Sequence, residues 1–177
     1  GILAFDAMAD DPVMGKLIRS RAEEAQVSLA EKSQEIALKS DLIISAVPAS
    51  NALEIGKELQ NYLRHGQLYV DVSSATPKVK QQIGEIVEKT GASFVDAAML
   101  GSLPSEKHRV PIAASGSGAR QFNEKMSPYG MKISVVGEKA GSAAAIKMVR
   151  SIFMKGIAAL MLEMLQAAET YGVEEEV

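Results

Sequence analysis

The chain reads as short apolar runs separated by amphipathic stretches of helical length. Leu42-Ile43-Ile44-Ser45-Ala46-Val47, Leu68-Tyr69-Val70-Asp71-Val72 and Ser93-Phe94-Val95-Asp96-Ala97-Ala98 are nearly continuous in apolar residues, the pattern of strands covered on both faces. Ile2-Leu3-Ala4-Phe5 and Ile133-Ser134-Val135-Val136 are shorter runs of the same kind. Asp11 predicts the cap of a helix with Pro12 in its first turn, running to about Ala25. Ser28 with Glu31, and Asn51 with Glu54, have capping-box spacing; they predict helices that end near Ser40 and just before Gly66. Thr76-Pro77 opens another helix, which Gly91 terminates, and a further one runs from about Ala119 to Ser127. Val110-Pro111-Ile112-Ala113-Ala114 predicts an edge strand, because proline cannot donate to a ladder. Ser102 to Arg109 reads as a loop.

Alternating strands and helices predict an α/β domain with a doubly wound, mainly parallel sheet. The last segment differs. From Ser142 to Tyr171 there is no proline and only Gly156, while Ile146, Val149, Ile152, Phe153, Ile157, Leu160 and Leu165 form a helical stripe. Roughly 30 residues at about 1.5 Å each make a helix of about 45 Å, longer than packing on one small sheet requires. Its wide apolar face calls for a partner, either another domain or another subunit.

A length of 177 residues suits one domain, and 47% hydrophobic with 23% charged residues excludes a disordered composition. A net charge of −3 argues against a nucleic-acid partner. The absence of cysteine excludes disulfides and thiolate metal sites, and the two histidines, His65 and His108, are too far apart in sequence to suggest zinc; no metal is expected. The most apolar stretch, Gly156 to Leu162, is interrupted by Glu163, short of what a bilayer needs. A soluble, cytoplasmic protein is expected, with no membrane partner. Because the chain begins at Gly1 without methionine, its natural N-terminus is expected to lie upstream.

Carboxyl ends of strands face the ligand crevice in this architecture, and several polar residues fall there. Asp6, after the first run, suits a carboxylate that accepts from ribose hydroxyls, or else an ordinary turn residue. Val47-Pro48 ends the second run. Ser73-Ser74-Ala75-Thr76-Pro77 ends the third, where hydroxyls and free amides suit an anion or Thr76 simply caps a helix. Gly101, beyond Asp96, suits close approach of backbone to a ligand. Gly116-Ser117-Gly118 lacks the third glycine of a dinucleotide fingerprint and reads as a tight turn. Lys147 and Ser151 share a face of the long helix; the lysine is either a solvated charge or a general base. Arg109 suits a substrate carboxylate and His108 a proton donor, against the plainer reading of a solvated loop.

In order, Phe5-Asp6, Ser45-Ala46-Val47-Pro48, Asp71-Val72-Ser73-Ser74-Ala75-Thr76-Pro77, Phe94 through Ser102, and Gly141 followed by Lys147 resemble the β-hydroxyacid dehydrogenase superfamily, which includes 3-hydroxyisobutyrate and 6-phosphogluconate dehydrogenases. The likeness covers essentially the whole chain, and Gly101 through Ile112 looks closest to a poorly characterised phosphogluconate-dehydrogenase-like branch. The resemblance implies a Rossmann-like domain at residues 1–140, lacking its first strand and glycine-rich turn. Residues 141–177 would be a long helix leading into a helical C-terminal domain outside this chain. It implies an NAD(P)-dependent oxidoreductase acting on a small hydroxy acid, a carboxylate, with NAD favoured over NADP by Asp6. A homodimer through the long helix and the helical domain is also implied. Lys147 would take the hydroxyl proton; Asp6, Val47, Pro48 and Ser73 would hold the cofactor; Gly101, Ser102, Ser151, His108 and Arg109 would hold substrate. Two positions depart from the family pattern: Leu100-Gly101-Ser102 replaces Ser-Gly-Gly, and Ser151 replaces the usual asparagine. These 177 residues are expected to be an inactive piece of a longer enzyme, which supplies a strand between the runs at Ile2 and Leu42 rather than letting them close up. Two other readings stand beside this one: a non-catalytic α/β assembly module, and an imine or pyrroline-carboxylate reductase type.

Overall fold

In the computed structural model, which describes residues 1–177, the strands form two sheets. β1 (Leu3–Ala4) leads through α1 (Met14–Glu24) to β2 (Ser28–Leu29), its parallel neighbour. After α2 (Ser33–Lys39) comes the larger sheet: β3 (Leu42–Ser45), β4 (Leu68–Asp71), β5 (Ser93–Met99), β6 (Ile112–Ser115) and β7 (Ile133–Gly137), side by side in that order. β3, β4 and β5 are parallel, β6 runs antiparallel to β5, and β7 is parallel to β6. α3 (Ala52–Leu59), α4 (Pro77–Glu88), α5 (Leu103–Glu106) and α6 (Ala119–Met126) fill the connections, and α7 (Ser142–Tyr171) closes the chain. This is the expected mainly parallel, Rossmann-like α/β fold with a long terminal helix. β1 and β3 share no ladder, so they have not closed on each other.

Period-two alternation divides the core between the sheet's faces. Tyr69, Phe94 and Ile43 pack on one side under α3 and α4, with Ile83 and Val87 above them. Leu68, Val70, Val95, Ile112 and Ala114 pack on the other, against Phe122 of α6. α4 starts where Thr76 Oγ1 accepts from the Val79 amide and Pro77 fills the first turn. Its buried positions are Lys80, Ile83, Gly84 and Val87, a stripe at helical spacing in which one member is a lysine. Near α1, Asp11 Oδ1 accepts from the amides of Val13 and Met14 at 2.9 and 2.8 Å, and these bonds hold its carboxyl below the usual carboxylate range.

The structure corrects four expectations. Ser28 is in β2 rather than capping a helix; α2 begins at Ser33, and the Glu35 carboxylate accepts from the Glu31 amide ahead of it. α3 stops at Leu59, so Gly66, at φ +85°, serves a later turn. β6 is interior, between β5 and β7. Pro111 lies one residue outside it, where only its carbonyl is used, by the Leu100 amide. Ser102 to Arg109 is not irregular: Leu103–Glu106 is helical and Lys107–Arg109 is a 3-10 turn. No helix is long and apolar enough to cross a membrane.

Candidate active site

The parallel strands β3, β4 and β5 end along one edge, and the backbone beyond β4 is held there by its own last residue. Asp71 Oδ1 accepts from the Ser73 amide at 2.9 Å and Oδ2 from the Ser73 hydroxyl at 3.0 Å. Ser73 is thereby buried, and Ser74 is turned outward.

α7 forms the facing wall. Gly141 precedes it at φ +90°, so close to the Pro77 carbonyl that a Cβ would collide with it. The first free amides of a helix need acceptors, and here the sheet provides them. The Ala143 amide donates to Ser115 Oγ at 3.0 Å, and the Ala144 amide to Asp96 Oδ2 at 2.9 Å. One turn farther, Lys147 Nζ donates to Ser74 Oγ at 3.0 Å, bridging the two walls. Between them lies a cleft of about 440 Å³ lined by Ser73, Ser74, Ala98, Lys147, Ser151 and Lys155, among others. It adjoins a second cleft of about 330 Å³ that adds Leu100, Gly101 and Arg150 and shares Lys147, Ser151 and Lys155. Neither is lined by a carboxylate.

Under the clefts is a buried group of charges. Lys80, 1% exposed, donates to the Asp71 carbonyl at 2.8 Å and pairs with Asp71 Oδ2 at 3.0 Å. It faces Asp96 Oδ1 at 3.4 Å, a charge contact without hydrogen-bond geometry. Asp71 and Asp96 sit at matched positions on β4 and β5, and Ser115 is opposite Asp96 on β6. Partial burial, then the like charge of Lys80, push the Lys147 amine below the ordinary lysine range; Asp96 opposes them.

The structure brings together Ser73, Gly101, Lys147 and Ser151 of the expected residues. Val47 and Pro48 follow β3 on the same strand-end edge, while Asp6, exposed, follows β1 in the smaller sheet. Ser102 borders neither cleft; its hydroxyl lies 3.2 Å from that of Ser105. His108 and Arg109 also stay outside, against Gly130. Sequence reading singled out Ser74 only as part of the run Ser73 to Pro77, and missed Lys80, Arg150 and Lys155. Arg150 and Lys155 were legible as cations three and eight residues beyond Lys147 on the same helix. Lys80 was not legible, because its carboxylate partners are chosen by the register of β4 and β5 rather than by any spacing along the chain.

The family model of the NAD binding domain of 6-phosphogluconate dehydrogenase matches residues 13–155. An uncharacterized 28.5 kDa protein of Methanothermus fervidus is 30% identical over 155 residues, which cover 88% of this chain and 59% of that protein. Mitochondrial 3-hydroxyisobutyrate dehydrogenase of Mus musculus is 28% identical over 149 residues, covering 78% of this chain and 44% of that one. A conserved hypothetical protein from Sinorhizobium meliloti 1021 has a solved structure that superposes with a TM-score of 0.84 at 30% identity, over 99% of this chain and 58% of that one. The chain thus spans about half the length of the curated relatives it matches.

Proposed function

This chain belongs to the family of the NAD binding domain of 6-phosphogluconate dehydrogenase, within the β-hydroxyacid dehydrogenase superfamily, and on that premise we propose that it is the cofactor-binding part of an NAD(P)-dependent oxidoreductase acting on a small hydroxy acid. The observation that carries the reading is Lys147: an amine at the junction of two clefts, fixed by Ser74 Oγ and pushed below the ordinary lysine range. Such an amine is suited to accept the hydroxyl proton of a substrate that replaces Ser74 as its partner. Arg150 and Lys155 give the clefts a positive rim with no lining carboxylate to neutralise it, which favours an anionic substrate such as a carboxylate. Ser151 and Gly101 complete the substrate wall.

The residues present fit a dinucleotide. Asp6 uses only Oδ1, which accepts from the Met8 amide at 2.9 Å, and Oδ2 is left to accept from a ribose hydroxyl. The same carboxylate would repel a 2′-phosphate, which favours NAD over NADP. Val47, Pro48 and Ser73 would line the nicotinamide half. When bound, the nicotinamide supplies a hydride acceptor for the substrate carbon that bears the hydroxyl. In this reading residues 1–140 are the dinucleotide-binding unit, and 141–177 lead toward the substrate-domain and homodimer contacts.

Turnover of a panel of small hydroxy acids by the full-length enzyme tests the reading. Lys147→Ala should lower kcat by roughly 10²–10⁴ with little change in NAD affinity. Lys147→Arg should be nearly as slow, since a guanidinium keeps the charge but does not release its proton near neutral pH. Wild-type rates in both variants would reject Lys147 as the base.

A further inference from the structure

We propose that Lys80 is a positioning residue for Lys147, joining the Ser73–Ser74 wall and the first turn of α7 to one buried charged centre beneath the cleft. The proposal rests on reading Lys147 as the base. Lys80 borders neither cleft, so any action on the reacting groups passes through its neighbours. Those neighbours are the two carboxylates that build the walls. Asp71 directs its oxygens to the Ser73 amide and hydroxyl, and Asp96 directs Oδ2 to the Ala144 amide, one turn before Lys147.

Asp71 and Asp96 are opposite each other on adjacent strands, 1% and 0% exposed. Two buried carboxylates so placed need a cation between them to compensate their charge. Lys80 is that cation, and it also donates to the Asp71 carbonyl. Without it both carboxylates lose their counter-charge, and the walls they support lose their common anchor.

The same centre acts on Lys147 through its charge, with Lys80 lowering the affinity of that amine for a proton and Asp96 raising it. The charged groups around Lys147 are few. α4 contributes Lys80, its remaining charged residues Lys78, Glu85 and Glu88 being exposed. β5 contributes Asp96, and β4 Asp71, already paired with Lys80. β6 and β7 carry no charged side chain, and α7 itself adds Arg150 and Lys155.

A purely structural ion cluster and a positioning centre predict different titrations. Lysines of the full-length protein can be dimethylated with ¹³C-formaldehyde and followed by NMR against pH, the Lys147 signal being assigned by its loss in Lys147→Ala. Lys80→Met should move the Lys147 midpoint up by roughly one pH unit, because a like charge is gone and the carboxylates are left uncompensated. Asp96→Asn keeps an oxygen for the Ala144 amide but removes the negative charge, and should move the midpoint down. Lys80→Arg, which preserves the charge, should remain near wild type. In the full-length enzyme, the ascending limb of kcat against pH for hydroxy-acid oxidation should move in the same two directions. Unmoved midpoints, or shifts of the same sign in Lys80→Met and Asp96→Asn, would overturn the proposal even if both variants melt earlier. Should Lys80→Met fail to fold, Asp96→Asn decides alone. The two readings fail separately: unmoved titrations remove the positioning role whatever the rates, and undiminished turnover of Lys147→Ala removes the base.

Discussion

In its first turn α7 buries Ala143 and Ala144 and directs their amides to Ser115 and Asp96, whereas from Ile152 onward its large side chains, Phe153, Leu160 and Leu165 among them, stand exposed. One continuous helix thus has a beginning fixed by the sheet and an end that this fold does not hold. Lys147 falls on the fixed side, one turn from the Asp96 contact, and this is where a proton-transferring group needs to be. Placement within a few tenths of an ångström is what makes a positioned base effective. A lysine placed by the distal turns would lack any such reference.

The largest effect is expected from breaking the fixed half at its centre. Lys80→Met removes the only cation between Asp71 and Asp96, and stranding buried charge in this way costs about 3–5 kcal/mol. Urea denaturation of the chain measures it. A loss below about 1 kcal/mol would mean that the carboxylates are satisfied by other means, and that the two halves of α7 differ less than their contacts suggest. Replacing the whole cluster by apolar residues is a different experiment, because a well-packed apolar substitute for a buried ion cluster is often neutral in stability.

A smaller effect, outside α7 altogether, tests whether the cofactor end is as independent of this centre as the separate sheets imply. Asp6 is exposed at the end of β1 and shares no ladder or hydrogen bond with the Lys80 group. In the full-length protein, Asp6→Ala should weaken NAD binding by about 1–3 kcal/mol through the lost charge-assisted hydrogen bond. The pH dependence of turnover should stay as in the wild type. Calorimetric titration with NAD gives the first quantity; an unchanged dissociation constant would remove Asp6 from the cofactor site.

How much of this was legible in the sequence depends on whether a residue's partner is near it in the chain. The buried strands announced themselves as apolar runs, and α7 runs from Ser142 to Tyr171, where the lack of proline and the apolar helical stripe had placed it. β2 was hidden because two residues carry too little pattern, and Ser28 with Glu31 imitates a cap. Pro111 misled because one residue decides whether a proline weakens a strand or merely precedes it. Lys147 and Ser151 could be paired by helical spacing alone. The Lys80 centre could not, since it is assembled by register across β4, β5 and β6, and register is a tertiary property. A lysine on an amphipathic helix reads as solvated until the strands opposite it are known.

The smallest effect is expected where α7 looks most vulnerable. Phe153 and Leu160 are 65% and 67% exposed, so truncating either removes almost no buried surface from this chain. Alanine is also the better helix former by a few tenths of a kcal/mol. Phe153→Ala and Leu160→Ala should therefore change the chain's stability by no more than about 0.5 kcal/mol, with any net change toward greater stability. Both should leave the Lys147 titration where it is, since the Asp96 and Ser115 contacts lie turns away. Urea midpoints at two protein concentrations provide the check. A loss of about 2 kcal/mol or more, growing with concentration, would show the distal apolar face to be packed against a second copy in solution. The contrast between the two halves of α7 would then be one of which surface holds each half, the sheet for the first and another subunit for the last.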